Sequence, residues 1–374
     1  MHSTTTIFDN SEYPKQRASS GHRNTRLKEA LMTDQTQKTA LIIGATGSFG
    51  GHTAVALIKH GWRIRALARD PKAAMAKTGD RMPIDWIKGD GMNPADVLAA
   101  AQGASVIVHA ANPPGYRNWR GLAVPMLDAT IAAAKAVGAR IVLPGNVYNF
   151  APDSGAHIAE DHPQQPVTRK GRIRVEMERM LRRASERGVP VLVIRAGDYF
   201  GPGAPNSGLG WMTTRSHGKL RSVYSPGPAD VGHAWAYLPD LAEATAQVLD
   251  RQDRLARFEV FHFAGQWMDR ADEMGASLRR VTGQSKLPIK AFPYPMIYAL
   301  APFVETFREL IEMRYLWRKP IGLDNTKLVK FLGAEPHTPL DQATRATMAD
   351  MGCLPEPVFE RPLLGAPHLT AGLG

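Results

Sequence analysis

Thr39-Ala40-Leu41-Ile42-Ile43-Gly44-Ala45-Thr46-Gly47-Ser48-Phe49-Gly50 joins a run of buried-strand residues to a glycine-rich turn that opens a helix. Ala40, Leu41, Ile42 and Ile43 in a row suit a strand covered on both faces, as in a parallel sheet flanked by helices. Gly44, Gly47 and Gly50 then supply a tight turn, close backbone approach and close helix packing. A dinucleotide's pyrophosphate docks at such a junction, held by the free N–H groups and the dipole of the helix N-terminus. Thr46, Ser48 and Phe49 lie in the same turn and belong to the expected cradle. Three glycines alone are a weak signal; between a strand and a helix, in a chain that continues in βα units, they are a specific one.

Outward from this junction the pattern alternates. Strand-like runs at 63–68, 84–87, 105–109, 140–143 and 191–194 are separated by helical stretches near 50–60, 94–101, 122–137 and 171–187. The alanine-rich stretch 122–137 sets Leu127 and Ile131 four apart on one side, and Gly138 follows as a C-cap. The expectation is an α/β fold with a Rossmann-type doubly wound parallel sheet, whose ligands sit at the carboxyl ends of the strands.

Composition narrows the function. The 374 residues are 44% hydrophobic and contain no apolar run long enough to span a bilayer. A net charge of +11 favours anionic partners. The basic residues are scattered, with no helix-turn-helix, zinc or aromatic RNA-binding signature, so nucleic acid is not expected. The single cysteine, Cys353, excludes an internal disulfide and a cysteine-rich metal site; no metal is expected, and a reducing, cytoplasmic setting fits. Residues 1–32 are Ser/Thr-rich without the apolar core of a secretory signal, and Met32 is a candidate start.

The residues after each strand are where chemistry is expected. Arg69 and Asp70 follow the second strand, where an acidic residue takes the adenosine ribose and an arginine accommodates a 2′-phosphate. Arg69 comes first, which favours NADP over NAD while leaving NAD possible; Asp70 has a competing job as N-cap to a helix with Pro71 at its first position. Asp90, in Gly89-Asp90-Gly91, is either an adenine contact or an ordinary turn residue. Ala110, Ala111 and Asn112 end the fourth strand with small residues that let backbone approach a flat ring, and His109 reads as a packed strand-end histidine.

Taken together these motifs resemble the extended short-chain dehydrogenase/reductases, the group of NAD-dependent nucleotide-sugar epimerases and dehydratases. The resemblance runs from about Thr39 to Gly352 and includes Val147-Tyr148, Glu160-Asp161-His162-Pro163, Arg195-Ala196-Gly197-Asp198-Tyr199-Phe200-Gly201-Pro202-Gly203, Tyr237-Leu238-Pro239-Asp240-Leu241-Ala242 and Leu332-Gly333-Ala334-Glu335-Pro336. It implies a disordered extension over 1–36, a dinucleotide-binding domain over 37–200, a smaller substrate lobe over 201–352 with segments returning to the first domain, and a tail over 353–374.

The family's catalytic residues do not carry over. Its members use a Ser or Thr after strand five and a Tyr-x-x-x-Lys pair on the next helix, where the lysine lowers the tyrosine pKa. Here Pro144 stands where the hydroxyl is expected, with Gly145 and Asn146 beside it, while Lys170 aligns with the tyrosine and Arg174 with the lysine. Sugar dehydration of the family type is therefore not expected.

Lys170, Arg174 and Glu178 recur at i, i+4 and i+8 and share one side of their helix. Burial and a neighbouring guanidinium would both disfavour the lysine's charge and suit it to proton transfer. The frame is also similar to that of the isoflavone-reductase-like branch, whose members use such a lysine with NADPH. The competing account is a solvated ladder of Lys170, Arg174, Glu178 and Arg182. Tyr148 is either a hydroxyl donor or a packed strand-end ring, and Asn146 either orients a carbonyl or makes a turn. Asp198 is expected to touch the cofactor ribose or cap the Gly-Pro loop, and Asp240 to cap a helix. Residues 294–317 read as an amphipathic helix, or a pair kinked at Pro302, that serves as a lid, a homodimer face, a membrane-surface contact or, most plainly, a buried core helix. The aromatic content of this segment and of Tyr199, Phe200, Trp211 and Trp235 points to an apolar or ring-bearing small molecule. The expected function is hydride transfer to or from a carbonyl or hydroxyl carbon; a redox-silent NADP(H) sensor and an epimerase or isomerase are the alternatives.

Overall fold

The computed structural model describes residues 38–78, 82–113, 118–204 and 207–354. The expectations for 1–36 and for the tail beyond Leu354 lie outside them. β1 (Thr39–Ile43) turns into α1 (Ser48–Lys59), followed by β2 (Arg63–Ala68), α2 (Pro71–Thr78), β3 (Ile84–Lys88) and α3 (Pro94–Ala101). Then come β4 (Val106–His109), α4 (Trp119–Val137), β5 (Arg140–Asn146), α5 (Arg169–Glu186) and β6 (Val191–Ala196). The remainder holds β7 (Asp198–Phe200), α6 (Gly208–Met212), β8 (Thr213–Ser216), β9 (Lys219–Ser225), β10 (His233–Tyr237), α7 (Leu238–Asp250), β11 (Phe258–His262) and β12 (Gln266–Met268). It ends with α8 (Glu273–Thr282), β13 (Ile289–Ala291), α9 (Tyr294–Leu300), α10 (Glu305–Glu312), α11 (Thr326–Leu332) and α12 (Leu340–Asp350).

Seven parallel strands form the main sheet in the order β11-β6-β5-β4-β1-β2-β3. The chain builds outward from β1 through β2 to β3, then restarts at β4 on β1's other side. The crevice between the carboxyl ends of β1 and β4 is thus the topological switch point where ligands bind. Alternation along β1 divides the core: Ala40 and Ile42 pack with Phe49, Leu57, Leu241 and Leu249 of α1 and α7, whereas Leu41 and Ile43 pack with Val97, Leu127 and Leu181 of α3, α4 and α5. α4 ends as expected, with Gly138 at φ 73° donating its N–H to Ala134 O.

β5 runs three residues past the expected 143, so Pro144, Gly145 and Asn146 are strand residues paired with β6. β4 leaves β5 after Val142, so the missing N–H of Pro144 breaks no ladder bond on that side. Beyond β6 two small sheets, β12-β10-β7 and β13-β9-β8, enclose a separate core of Phe200, Leu209, Trp235, Met274 and Leu278, and β11 returns to the main sheet. Residues 294–317 form the helix pair α9 and α10 with Pro302 between them, then a 3-10 turn over Met313–Trp317. They are not a buried core helix: α9 buries only Ile297, and Phe303 at the bend is 85% exposed. Their inner side, Met313 and Leu316, packs on Val147, Phe150 and Ile158.

Candidate functional site

At the β1–α1 junction Gly44 has φ +97°, and a Cβ there would lie 2.7 Å from the Ala110 carbonyl carbon and the Ala111 nitrogen. A Cβ on Gly50 would collide with Gly44 O. These two glycines are required by close approach; Gly47 has ordinary extended backbone (φ −87°) and donates its N–H to Gly44 O at 3.0 Å. Ala110 in turn donates to Ile43 O at 2.9 Å, which fixes the end of β4 against β1. Gly47 is the N-cap of α1 and has no side chain to cap it, and the first turn holds no acidic residue. Thr46 O is drawn aside by Lys77 Nζ of α2 at 3.0 Å. Open N–H groups, a glycine cradle and no competing carboxylate fit a dinucleotide's pyrophosphate.

Around this grip the polar residues divide. Asp70 accepts the Ala73 N–H at 3.0 Å, the capping role foreseen for it, which leaves the exposed Arg69 as the charged group at the end of β2. Asp90 closes an Asx turn onto the Met92 N–H at 3.0 Å. Asn112 accepts the Trp119 indole N–H at 2.7 Å. The Arg174 guanidinium lies 5.0 Å from the Trp119 ring centre and donates to Pro144 O at 3.3 Å.

His109 is a packed strand-end residue, as expected. Its Nδ1 faces Thr130 Oγ1 at 2.8 Å, and because that hydroxyl donates to Met126 O, Nδ1 carries the hydrogen. Burial, reinforced by Arg174, holds its pKa down to about 3. Among the described residues its buried Nε2 and the buried Nε of Arg174 have no hydrogen-bond partner.

The solvated ladder on α5 does not form. Lys170 is 3% exposed and its Nζ lies 3.2 Å from Glu309 Oε2 of α10. Burial lowers its pKa, Glu309 opposes that shift, and the guanidinium that adds to it belongs to Arg169 rather than Arg174. Glu178 turns the other way: it takes two hydrogen bonds from Arg195 at 2.7 and 3.0 Å and is also bonded by Asn149 and Gln164. Arg195 then reaches His262 at 2.9 Å, so this buried network belongs to the core and not to the site.

Asn146 spends its amide oxygen on the Tyr148 N–H at 3.0 Å, the turn role, and Tyr148 packs beside the Val147 and Phe150 cluster. Asp198 pairs with His233 at 3.0 Å instead of capping the Gly-Pro loop. Asp240 is no N-cap either: in the first turn of α7 it receives both the N–H and the hydroxyl of Thr338 at 2.7 Å. Asp240 was misassigned because its partner is remote in sequence.

Two residues were not singled out for the roles they take. Tyr199 stacks on Phe49 (ring centres 6.4 Å apart, planes at 22°), and its hydroxyl donates to Gly145 O at 3.3 Å. Its signal was alternation: in a strand, position 199 faces opposite to Asp198 and Phe200. Glu309 had no sequence signal, because it meets Lys170 from 139 residues away. The site at the switch point thus gathers Gly44, Gly47, Phe49, Gly50, His109, Ala110, Ala111, Gly145, Arg174 and Tyr199. Lys170 and Glu178 are directed to other partners. Among the described residues no group of three His, Cys, Asp or Glu side chains could hold a metal ion, and no helix is long and apolar enough to cross a membrane.

The model of the NAD dependent epimerase/dehydratase family matches residues 40–264. The chain is 29% identical over 142 residues to the ceramide reductase of Caulobacter vibrioides, which is 37% of this chain and 44% of that one. It is 32% identical over 74 residues to the NmrA-like family domain-containing oxidoreductase notA of an Aspergillus species, 20% of this chain and 22% of that one. The chain thus spans less than half the length of either relative. Among solved structures, UDP-glucuronic acid 4-epimerase from Bacillus cereus in complex with UDP-glucuronic acid and NAD is similar at a TM-score of 0.67 and 16% identity, over 83% of this chain and 98% of that one. At that identity the likeness is one of fold.

Proposed function

The chain belongs to the NAD dependent epimerase/dehydratase family, and from that premise we propose that it is an NAD(P)-dependent oxidoreductase acting on a carbonyl or hydroxyl carbon of a small, apolar or ring-bearing substrate. The observation that carries this reading is the open N-terminus of α1 over the Gly44 and Gly50 cradle, beside the stacked Phe49 and Tyr199 rings. When bound, the nicotinamide supplies the hydride chemistry. The protein's own residues bind and orient: α1 holds the pyrophosphate, and the small Ala110 and Ala111 leave room for a flat ring. Arg69 is exposed after β2, where an arginine can accommodate a 2′-phosphate, and this supports the NADP(H) reading. Lys170, in its ion pair with Glu309, ties α10 to the first turn of α5 and so steadies a cover beside the site.

An apolar substrate is supported by the aromatic surroundings and by the partial likeness to a ceramide reductase. The lone cysteine suits a reducing, cytoplasmic setting. The test is the 340 nm absorbance of NADPH incubated with the protein and a panel of apolar aldehydes, ketones and quinones. Substrate-dependent loss of absorbance is expected. Cofactor binding with no loss across the panel would favour the redox-silent sensor, to which the missing Ser, Tyr and Lys also point.

A further inference from the structure

We propose that Tyr199, backed by Arg174, is the group that exchanges a proton with the substrate oxygen. This rests on the hydride-transfer reading above. Such a group must stand within hydrogen-bond reach of the reacting oxygen, at the carboxyl edge of β4 and β5. Other nearby groups do not fit the task. Lys170 is buried in its ion pair with Glu309 of α10, and His109 keeps its hydrogen on Nδ1 toward Thr130. With its pKa held near 3, His109 can neither donate from Nε2 nor act as a base at neutral pH.

Tyr199 stands where the family resemblance leaves a gap. The expected hydroxyl and cation are absent from their positions at the end of β5 and on α5, yet the structure brings a phenol and a guanidinium to the end of β5, each bonded to one of two successive carbonyls. The Tyr199 hydroxyl donates to Gly145 O at 3.3 Å, and Arg174 donates to the neighbouring Pro144 O at 3.3 Å. The alternation of β7 makes this possible. Asp198 and Phe200 face the second core, through His233 and the Trp235 and Tyr237 rings, whereas Tyr199 faces the glycine turn through Phe49. A 3.3 Å bond to a carbonyl is long for a hydroxyl donor and is readily exchanged for a substrate oxygen. Burial pushes the phenol up to about 12, Arg174 pulls against it and Asp198 adds to it, so at neutral pH Tyr199 is protonated and a donor.

In the reducing direction the carbonyl carbon gains a hydride from the reduced cofactor. The π pair of the C=O bond moves onto oxygen, which takes the Tyr199 proton and becomes a hydroxyl. The phenolate left on Tyr199 is stabilised by the Arg174 guanidinium and regains its proton from water. Oxidation runs through the same atoms in reverse.

The first test needs no turnover. With 3-fluorotyrosine installed at position 199 of the cofactor-free protein, the ¹⁹F shift reports ionisation of that one phenol. Arg174→Met is expected to raise its pKa by about one unit; an unchanged pKa would overturn the pairing. The second test is Tyr199→Phe, which keeps the ring against Phe49. NADPH affinity by calorimetry is expected to stay within about twofold, while reduction of 9,10-phenanthrenequinone falls at least about 100-fold. Reduction at the wild-type rate by Tyr199→Phe overturns the assignment. If the wild-type protein itself binds no NADPH, it is the underlying oxidoreductase reading that fails, and calorimetry separates the two.

Discussion

Two of the helix N-termini at the carboxyl edge of the main sheet, those of α1 and α5, are finished in opposite ways. α5 is closed from within: Thr168 accepts the Gly171 N–H at 3.0 Å, Glu312 accepts the Arg169 N–H at 2.7 Å, and Glu309 clasps the Arg169 and Lys170 side chains. α1 has no capping side chain and no acid in its first turn. Unsatisfied donors at a helix start are normally matched by side chains, water or ligands. The difference teaches that the ligand end of this sheet is marked by what the chain withholds, while the charged helix that looked catalytic in sequence is largely occupied in holding its neighbours.

Breaking the closed side should have the largest effect. Glu178→Ala leaves Arg195 buried without its carboxylate and should cost about 3–5 kcal/mol of stability in urea unfolding. A loss under about 1 kcal/mol would mean that the network is not a structural anchor. Next is the open side itself: Gly44→Val forces a side chain onto the Ala110 backbone at φ +97°. It should cost about 2–3 kcal/mol and remove NADPH binding.

Glu309→Gln sharpens the comparison by unpinning α10 from α5. Lys170 keeps its burial and loses the carboxylate that raises its pKa, so stability at neutral pH should fall by roughly 1–3 kcal/mol. The sign with pH follows from the lowered lysine pKa. The unfolded chain binds the proton more readily than the fold, so the deficit should shrink as pH rises through the lowered value toward 10.5. A deficit that grows with alkalinity would contradict the pairing.

The fold and the grip were legible in sequence because they are local. A strand, the closely packed Gly44 and Gly50, the Asp70-Pro71 cap and Gly138 each act within a few residues, and each kept its role. The α5 ladder was misread for the opposite reason. Helical spacing placed Lys170, Arg174 and Glu178 on one side, yet their partners come from Glu309, Pro144 and Arg195, which only the tertiary fold brings near. Asp240 was misread in the same way, since its partner Thr338 is remote in sequence, and Asp198 likewise meets His233 from another strand. Periodicity shows which residues share a face, and it is silent on what covers that face.

Smaller effects remain. His109 and His262 are both held near 3 by burial, with Arg174 and Arg195 respectively adding to the shift. Between about 6.5 and 3 the unfolded chain takes up protons that the fold refuses, so these residues lower stability as pH falls through that window. His109→Gln should flatten the fall in urea midpoint between pH 7 and pH 4 relative to wild type; an unchanged slope would show that His109 is not held neutral. Arg69→Ala should reduce the preference for NADPH over NADH about tenfold in titrations, and a retained preference would move the phosphate contact elsewhere.

The most direct test of the account is Ser48→Glu, which places a carboxylate in the first turn of α1. A carboxylate there suits the helix dipole but occupies the place of the pyrophosphate. Calorimetry should show saturable NADPH binding by the wild-type protein and at least about a 50-fold weaker affinity in the variant, whose melting temperature stays level or rises. Undiminished NADPH binding by Ser48→Glu, or no heat from the wild-type protein with either NADPH or NADH, would contradict it.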